Sequence, residues 1–313
     1  MLEKIIEIGQ KLENFQLNST GFLHKSEEFL KNLEITANLG DFGHELGGWI
    51  LKNPLPKQLN VYNNFGQPPV TVFRTEKFVI DIYFWMQADT SVHSHSFCGA
   101  FKVLFGKSLH EKFTTKQLES YSKDVCLNKL TREKAEILQS GETKVIERGD
   151  EFIHRVIHLS SPTVTICIRT VNDKDIPQWH YFDNGLSILK RELDESVYKK
   201  LFYGDYLQQT QPNTSEKFTS EFIDTLEISE VMNLFEQLSV DTMNLSDDYQ
   251  ELVYNLMMTK LTALSWYGFY ESYCEKSQHY DPNEAQDEAA KLIYHTMFYE
   301  YEESAVQGLV EQL

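Results

Sequence analysis

The chain has 313 residues, with 29 Lys plus Arg against 47 Asp plus Glu and a formal net charge of −18. At 41% hydrophobic and 13% aromatic it can bury a real core, which excludes wholesale disorder, and the excess of acid with no Lys/Arg cluster argues against a nucleic-acid partner. The longest apolar run, Phe78 to Met86, is broken by Asp81 and is about half of the ~20 residues a membrane span needs.

The N-terminus has no signal-peptide core, and Cys98, Cys126, Cys167 and Cys274 match neither a disulfide framework nor a zinc pattern. A cytoplasmic protein with reduced thiols and no membrane partner is the expectation. Residues 1–57 read as a helical segment: Ile5, Ile6, Ile8 and Leu12, then Phe29, Leu30 and Leu33, recur near helical spacing. Residues 58–185 switch to strand texture, with VTVFRT (70–75), FVIDIYFWM (78–86), AFKVLF (100–105), KVIERG (144–149) and TVTICIRT (163–170) separated by turn-prone residues. Short, regularly spaced strands predict a sandwich or barrel.

From residue 186 the texture returns to helix, as in FIDTLEISEVMNLFEQL (222–238), YQELVYNLMMTKLTALSWYGFYESY (249–273) and EAQDEAAKLIYHTMFYEYEE (284–303). The polar stretch QQTQPNTSEK (208–217) reads as a linker. The charge changes there too: Gln211 to Leu313 holds 20 acidic and four basic residues. The expected division is therefore 1–57, 58–185, a helix and linker over 186–212, and an acidic helical domain over 213–313. Within the last, Trp266, Tyr267, Phe269, Tyr270 and Tyr273 read as core or as an oligomer surface, a homodimer through the C-terminal helices. Neither His279 nor His295 has a glutamate three residues before it, so the di-iron pattern of helical bundles is missing.

Chemistry concentrates in the strand region. VHSHSF places His93 and His95 two apart, on one face of a strand, where both imidazoles can reach one ion. FIHRVIH, after a Gly-Asp turn, places His154 and His158 on one face of another. Neutral imidazoles suit iron, copper, nickel or zinc.

The stretch FVIDIYFWMQADTSVHSHSFCGAFKVLFGKSLHEKF, followed by GDEFIHRVIHLSSPTVTICIRT, resembles the two halves of a cupin, and the cysteine dioxygenase branch in particular. The matching pieces are Trp85, His93, His95, Gly106, Glu111 and His154-Arg155-Val156, within residues 70–172. The resemblance implies an α+β protein: a cupin β-barrel (a double-stranded β-helix, or jelly roll) with N-terminal helices and a C-terminal all-α domain. Most cupins place a glutamate ligand seven residues before the strand-ending glycine. Here that position is Gly99, which leaves His93, His95 and His154 as the metal ligands and implies Fe(II).

Such a site uses O2 to oxidise a small carboxylate-bearing thiol, with no catalytic side chain needed beyond the metal ligands. Substrate contacts are expected from Arg74, Arg169 and Tyr181. Relatives of the cysteine type carry His and Tyr where this chain has Cys167 and Arg169, so a non-thiol substrate of another cupin oxygenase or oxidase, or a non-catalytic ligand-binding cupin, stays open. Arg169 reads equally as an acid-binding group or as half of an internal ion pair.

Overall fold

The computed structural model describes residues 1–15, 18–58, 69–86, 90–173, 175–190, 193–239, 245–264, 268, 271–272, 275, 281, 285, 287–299 and 301–313. The chain folds as two compact units: Met1–Thr114 with Thr131–Pro177 and Tyr280–Leu313, and Thr115–Leu130 with Gln178–His279. No helix of the described residues is long and apolar enough to cross a membrane.

The first unit opens with helices α1 (Leu2–Glu13), α2 (Ser19–Asn32) and α3 (Leu39–Lys52). The stripe Leu2, Ile5, Ile8 and Leu12 of α1 is buried, as the 3.6-residue period requires. Asn18 and Asn38 cap α2 and α3, each side chain accepting from an N–H three residues on. That bond satisfies one of the N–H groups a helix start leaves orphaned.

Nine strands follow: β1 (Pro69–Arg74), β2 (Phe78–Trp85), β3 (Val92–His95), β4 (Gly99–Phe105), β5 (Lys107–Ser120), β6 (Val125–Gln139), β7 (Thr143–Ile146), β8 (Gly149–His158) and β9 (Thr163–Thr170). One sheet runs β1-β2-β9-β4-β7, and in the other β3, β8, β5 and β6 are neighbours in that order. Taken from β2 onward, the eight strands therefore form two four-stranded sheets, the chain switching sheet at every step except the β5–β6 hairpin, in jelly-roll order, the cupin architecture. The fold is α+β.

Period-two alternation sorts the side chains. Tyr83, Phe101, Val103, Leu138, Ile146, Phe152 and Cys167 fill the space between the sheets. Ile80, Ile82, Ala100, Ile166 and Ile168 face outward into the cluster formed with α1–α3. Cys98 lies in that outer cluster, a small buried apolar group facing away from the barrel interior. Lys102 is also buried there, its Nζ donating to the carbonyls of Leu30 (2.8 Å) and Leu33 (2.7 Å) at the end of α2.

The second unit contains the tip of the β5–β6 hairpin, strands β10 (Gln178–Tyr181) and β11 (Leu186–Lys190), and helices α4 (Glu195–Thr210), α5 (Pro212–Thr225), α6 (Ile228–Ser239) and α7 (Asp247–Thr262). Leu201, Phe222, Leu234, Tyr249, Val253 and Met257 are buried in its core. The chain then returns to the first unit with α8 (Glu288–Phe298) and α9 (Glu303–Val310). Leu292 and Leu309 of these helices pack with Leu109, Ile137 and Ile157 on the outer face of the second sheet.

Three expectations need correction. The units do not part at residues 212–213, because the acidic last third is divided and residues 280–313 belong with the barrel. QQTQPNTSEK is not a linker: α4 runs to Thr210 and α5 starts at Pro212, where proline lacks only an N–H that a helix start leaves unbonded anyway. Residues 186–190 are a strand, not the start of a helix. They form a hairpin with β10 across Asp183-Asn184-Gly185, where Gly185 takes φ +92°, a conformation that favours glycine. The aromatic stretch Trp266–Tyr273 falls largely outside the described residues.

Candidate metal centre

Strands β3 and β8 pair antiparallel with His93 directly opposite His154. That register brings His93, His95 and His154 together, all buried, with one ring nitrogen from each within 4.8 Å of the others. Among the described residues this is the one group of three or more metal-ligating side chains. His95 Nε2 and His154 Nε2 lie 2.9 Å apart. Two nitrogens that close subtend about 90° at an ion ~2.1 Å from each, an ordinary metal–imidazole distance.

The far sides of two of the rings are engaged. His93 Nδ1 lies 2.7 Å from the Ser91 carbonyl, and a carbonyl only accepts, so Nδ1 carries the proton and Nε2 keeps its lone pair. His154 Nδ1 lies 3.2 Å from His110 Nε2, and His110 Nδ1 lies 3.3 Å from Glu136 Oε1. Burial, followed by the neighbouring rings of His93, His95 and His110, pushes the His154 pKa well below its ordinary value. His154 is thus a neutral imidazole, the form a metal requires.

Gly99 is the position at which the cupin resemblance would place a glutamate ligand. A Cβ built there would lie 2.0 Å from the Ile168 carbonyl oxygen and 2.8 Å from Arg169 Cα. Strand β9 approaches too closely for any side chain, so this position cannot supply a fourth ligand. The donor set is three imidazole nitrogens, which in their neutral form fit a divalent iron, nickel, copper or zinc ion.

No protein-family model and no curated protein matches the chain. Among solved structures it is similar, over 43% of its length, to the whole of a conserved protein with a double-stranded β-helix domain from Klebsiella pneumoniae, at 11% identity and TM-score 0.25. It is similar over 42% of its length to 93% of a cupin-2 domain protein from Shewanella frigidimarina, at 15% identity and TM-score 0.23. It also matches 65% of a hydroquinone 1,2-dioxygenase from Sphingomonas over 33% of its own length, at 10% identity and TM-score 0.26. Scores this low carry nothing about chemistry, which has to come from the chain's own geometry.

Arg169 is half of an internal ion pair. Its Nε lies 3.3 Å from Asp81 Oδ2, its Nη1 donates to Asn172 Oδ1 at 3.3 Å, and its guanidinium sits 4.5 Å over the Phe97 ring. Asp81 also accepts from Thr71 Oγ1 (2.7 Å) and Tyr83 OH (3.2 Å). Burial, and then the Asp81 charge, pushes the Tyr83 pKa well above its ordinary value, while burial pushes the Cys167 thiol up to about 12. Both therefore stay protonated at neutral pH. Phe97 in turn packs 4.5 Å from the His95 ring, so this network abuts the histidine cluster.

The other expected residues sit as follows. Arg74, at the end of β1, is half-buried and donates from Nη1 to the Lys57 carbonyl. Tyr181 is buried on β10 of the second unit, opposite Ser187. His158 stacks on Trp85 at 4.3 Å and meets Ser108 Oγ through Nδ1. Burial, then Lys291, lowers its pKa to about 3, so it is a neutral core histidine.

Three residues around the site were not anticipated. His110 meets His154 from its far side, and Glu136 meets His110 in turn. Lys112 stands opposite His154 in the β5–β8 register, on the same strand face as His110. It is half-buried, and no carboxylate among the described residues pairs with it, whereas Lys134 and Lys144 both pair with Glu136. Alternation from Ser108 was the available signal: it turns His110 and Lys112 inward and Glu111 outward.

Proposed function

We propose that the barrel unit is a cupin oxidoreductase that binds one Fe(II) ion through His93, His95 and His154 and uses O2 to oxidise a small acidic substrate, a thiol foremost. The observation that carries this reading is the convergence of three buried imidazoles, at least two of them with Nδ1 engaged and Nε2 turned to a common point.

Iron held by neutral ligands would supply the redox chemistry that couples O2 to the substrate. The protein's own part is orientation and dryness. Phe97, Phe101 and Phe152 ring the histidines at 4.5–6.3 Å, which limits water around the site. Lys112 offers a positive charge to an acidic group. Arg169 does not compete for that role, because Asp81 already neutralises it. For a thiol the balanced reaction is RSH + O2 → RSO2H, with both oxygen atoms ending on a sulfur oxidised by four electrons.

Cys167 and Arg169, the latter paired with Asp81, stand where the resemblance to cysteine dioxygenases would place His and Tyr, and this favours a second reading: the same metal chemistry on a non-thiol acid. The first test is metal content of protein purified without chelator, beside His154→Ala, followed by O2 uptake with thiols and non-thiol acids. About one iron per chain, lost in the variant, with thiol-dependent O2 uptake supports the reading. Uptake with non-thiols alone supports the second. No metal in the wild-type protein refutes both.

A further inference from the structure

Setting the direction of a histidine ligand is a proton problem. A neutral imidazole binds a metal only through the nitrogen that lacks hydrogen, and which nitrogen that is depends on what the other one meets. For His93 the Ser91 carbonyl decides. For His154 the deciding group is a third residue away.

Glu136 is pinned by Lys134 at Oε2 (2.7 Å) and by Lys144 at Oε1 (2.9 Å), and it meets His110 Nδ1 at 3.3 Å. An ionised carboxylate has no hydrogen to give, so His110 Nδ1 is the donor. In the neutral ring the remaining nitrogen, Nε2, is then an acceptor, and it lies 3.2 Å from His154 Nδ1. His154 Nδ1 must therefore carry the hydrogen, which leaves Nε2 bare and 2.9 Å from His95 Nε2. The His110 ring is held in place by Phe101 and Phe152, with ring centroids 6.1 and 5.9 Å away.

We infer that His110 and Glu136 are positioning residues: through two successive hydrogen bonds they hold His154 in the Nδ1–H tautomer, and so make its Nε2 available to a metal ion. The inference rests on the proposed metal site but extends to residues outside the ligand set. Outer partners of this type change metal affinity about 10- to 100-fold when removed.

The test uses the full chain, metal-free, with Co(II) as the probe. Two-bond 15N–1H correlation spectra of the metal-free wild type read the tautomer directly and need no metal to bind. The expected result is Nδ1–H on His154. Co(II) is then titrated into wild type, His110→Phe, His110→Gln and Glu136→Leu, with thermal unfolding as a check on folding. His110→Phe keeps the ring shape without an acceptor, and affinity should fall at least tenfold. His110→Gln can present an amide oxygen to His154 Nδ1 and should recover most of that loss. Glu136→Leu should weaken binding severalfold.

An Nε2–H tautomer on wild-type His154 overturns the inference, whether or not any variant folds. So does a folded His110→Phe that binds Co(II) as tightly as wild type. A wild type that binds no Co(II) while showing the expected tautomer refutes the metal reading instead, so the two failures are distinguishable.

Discussion

Glu111 lies on the outer face of β5, fully buried. One oxygen accepts from Arg155 Nε (2.7 Å) and His295 Nε2 (3.1 Å); the other pairs with Arg132 Nε (2.8 Å) and accepts from Tyr301 OH. His295 and Tyr301 belong to the returning C-terminal segment, so this carboxylate is the polar anchor of α8 and α9. Glu111→Gln keeps the volume and removes the charge. It takes away the charge that the Arg155 side chain, 4% exposed, meets at 2.7 Å, and breaking a buried pair of this kind costs about 3–5 kcal/mol. Arg132 is 28% exposed and adds little to that loss. For a unit of this size the cost lowers the first unit's melting temperature by roughly 10 °C.

The pH dependence has a definite sign. Burial pushes the Glu111 pKa up, but Arg155 and His295 pull it further down, so it ends well below the ordinary carboxylate range. A depressed folded-state pKa contributes stability that is complete above the unfolded value of about 4.3 and is lost as pH falls below it. Urea unfolding of wild type and Glu111→Gln, with hydrogen exchange localised to α8 and α9, should show a gap of ~3 kcal/mol or more at pH 7 that narrows below about pH 5. A gap under ~1 kcal/mol at pH 7, the size of an exposed pair, or one unchanged in acid, would falsify the view that this carboxylate anchors the segment as a buried charge.

Three further perturbations probe the barrel. Gly99→Ala forces a Cβ into the Ile168 carbonyl and should cost about 3 kcal/mol, the upper end of ordinary overpacking; a variant as stable as wild type in urea would show that β4 and β9 separate freely there. Lys112→Met should raise the KM for an acidic substrate about tenfold, an energy typical of one charged hydrogen bond, with kcat unchanged and neutral substrates unaffected; equal effects on acidic and neutral substrates would place Lys112 outside substrate recognition. Lys102→Met strips the donor from the Leu30 and Leu33 carbonyls at the end of α2 and should cost about 2–3 kcal/mol; a loss below ~0.5 kcal/mol would mean that water replaces the ammonium.

What could be read from the chain follows the range of the interactions involved. The spacing of His93 and His95 is a local rule, because a strand's period is two whatever surrounds it, and so is the stripe of α1. The choice of His154 over His158 was not local. Both share a face, and they differ in that one lies opposite His93 while the other stacks on Trp85; only the cupin resemblance separated them beforehand. His110 was hidden for a related reason. Its role depends on Glu136, 26 residues on, across a β5–β6 hairpin that is polar along much of its length and lacks the apolar alternation that marks the other strands.

Charge counting pointed away from the attachment of the C-terminal segment. An excess of acid over residues 211–313 suggested one solvated acidic domain, yet the groups that anchor residues 280–313 include the buried His295 and the half-buried Tyr301, beside a part-buried Glu288 that pairs with Lys107 at 3.0 Å. The acid that His295 and Tyr301 meet is Glu111, supplied by the barrel 184 residues earlier than His295. A net charge averages over exposed side chains, which are numerous and energetically cheap. The few buried polar groups that decide which element goes where contribute almost nothing to that average. For an acidic chain of this kind, the histidines and tyrosines scattered among the carboxylates are the better guide to what the segment packs against.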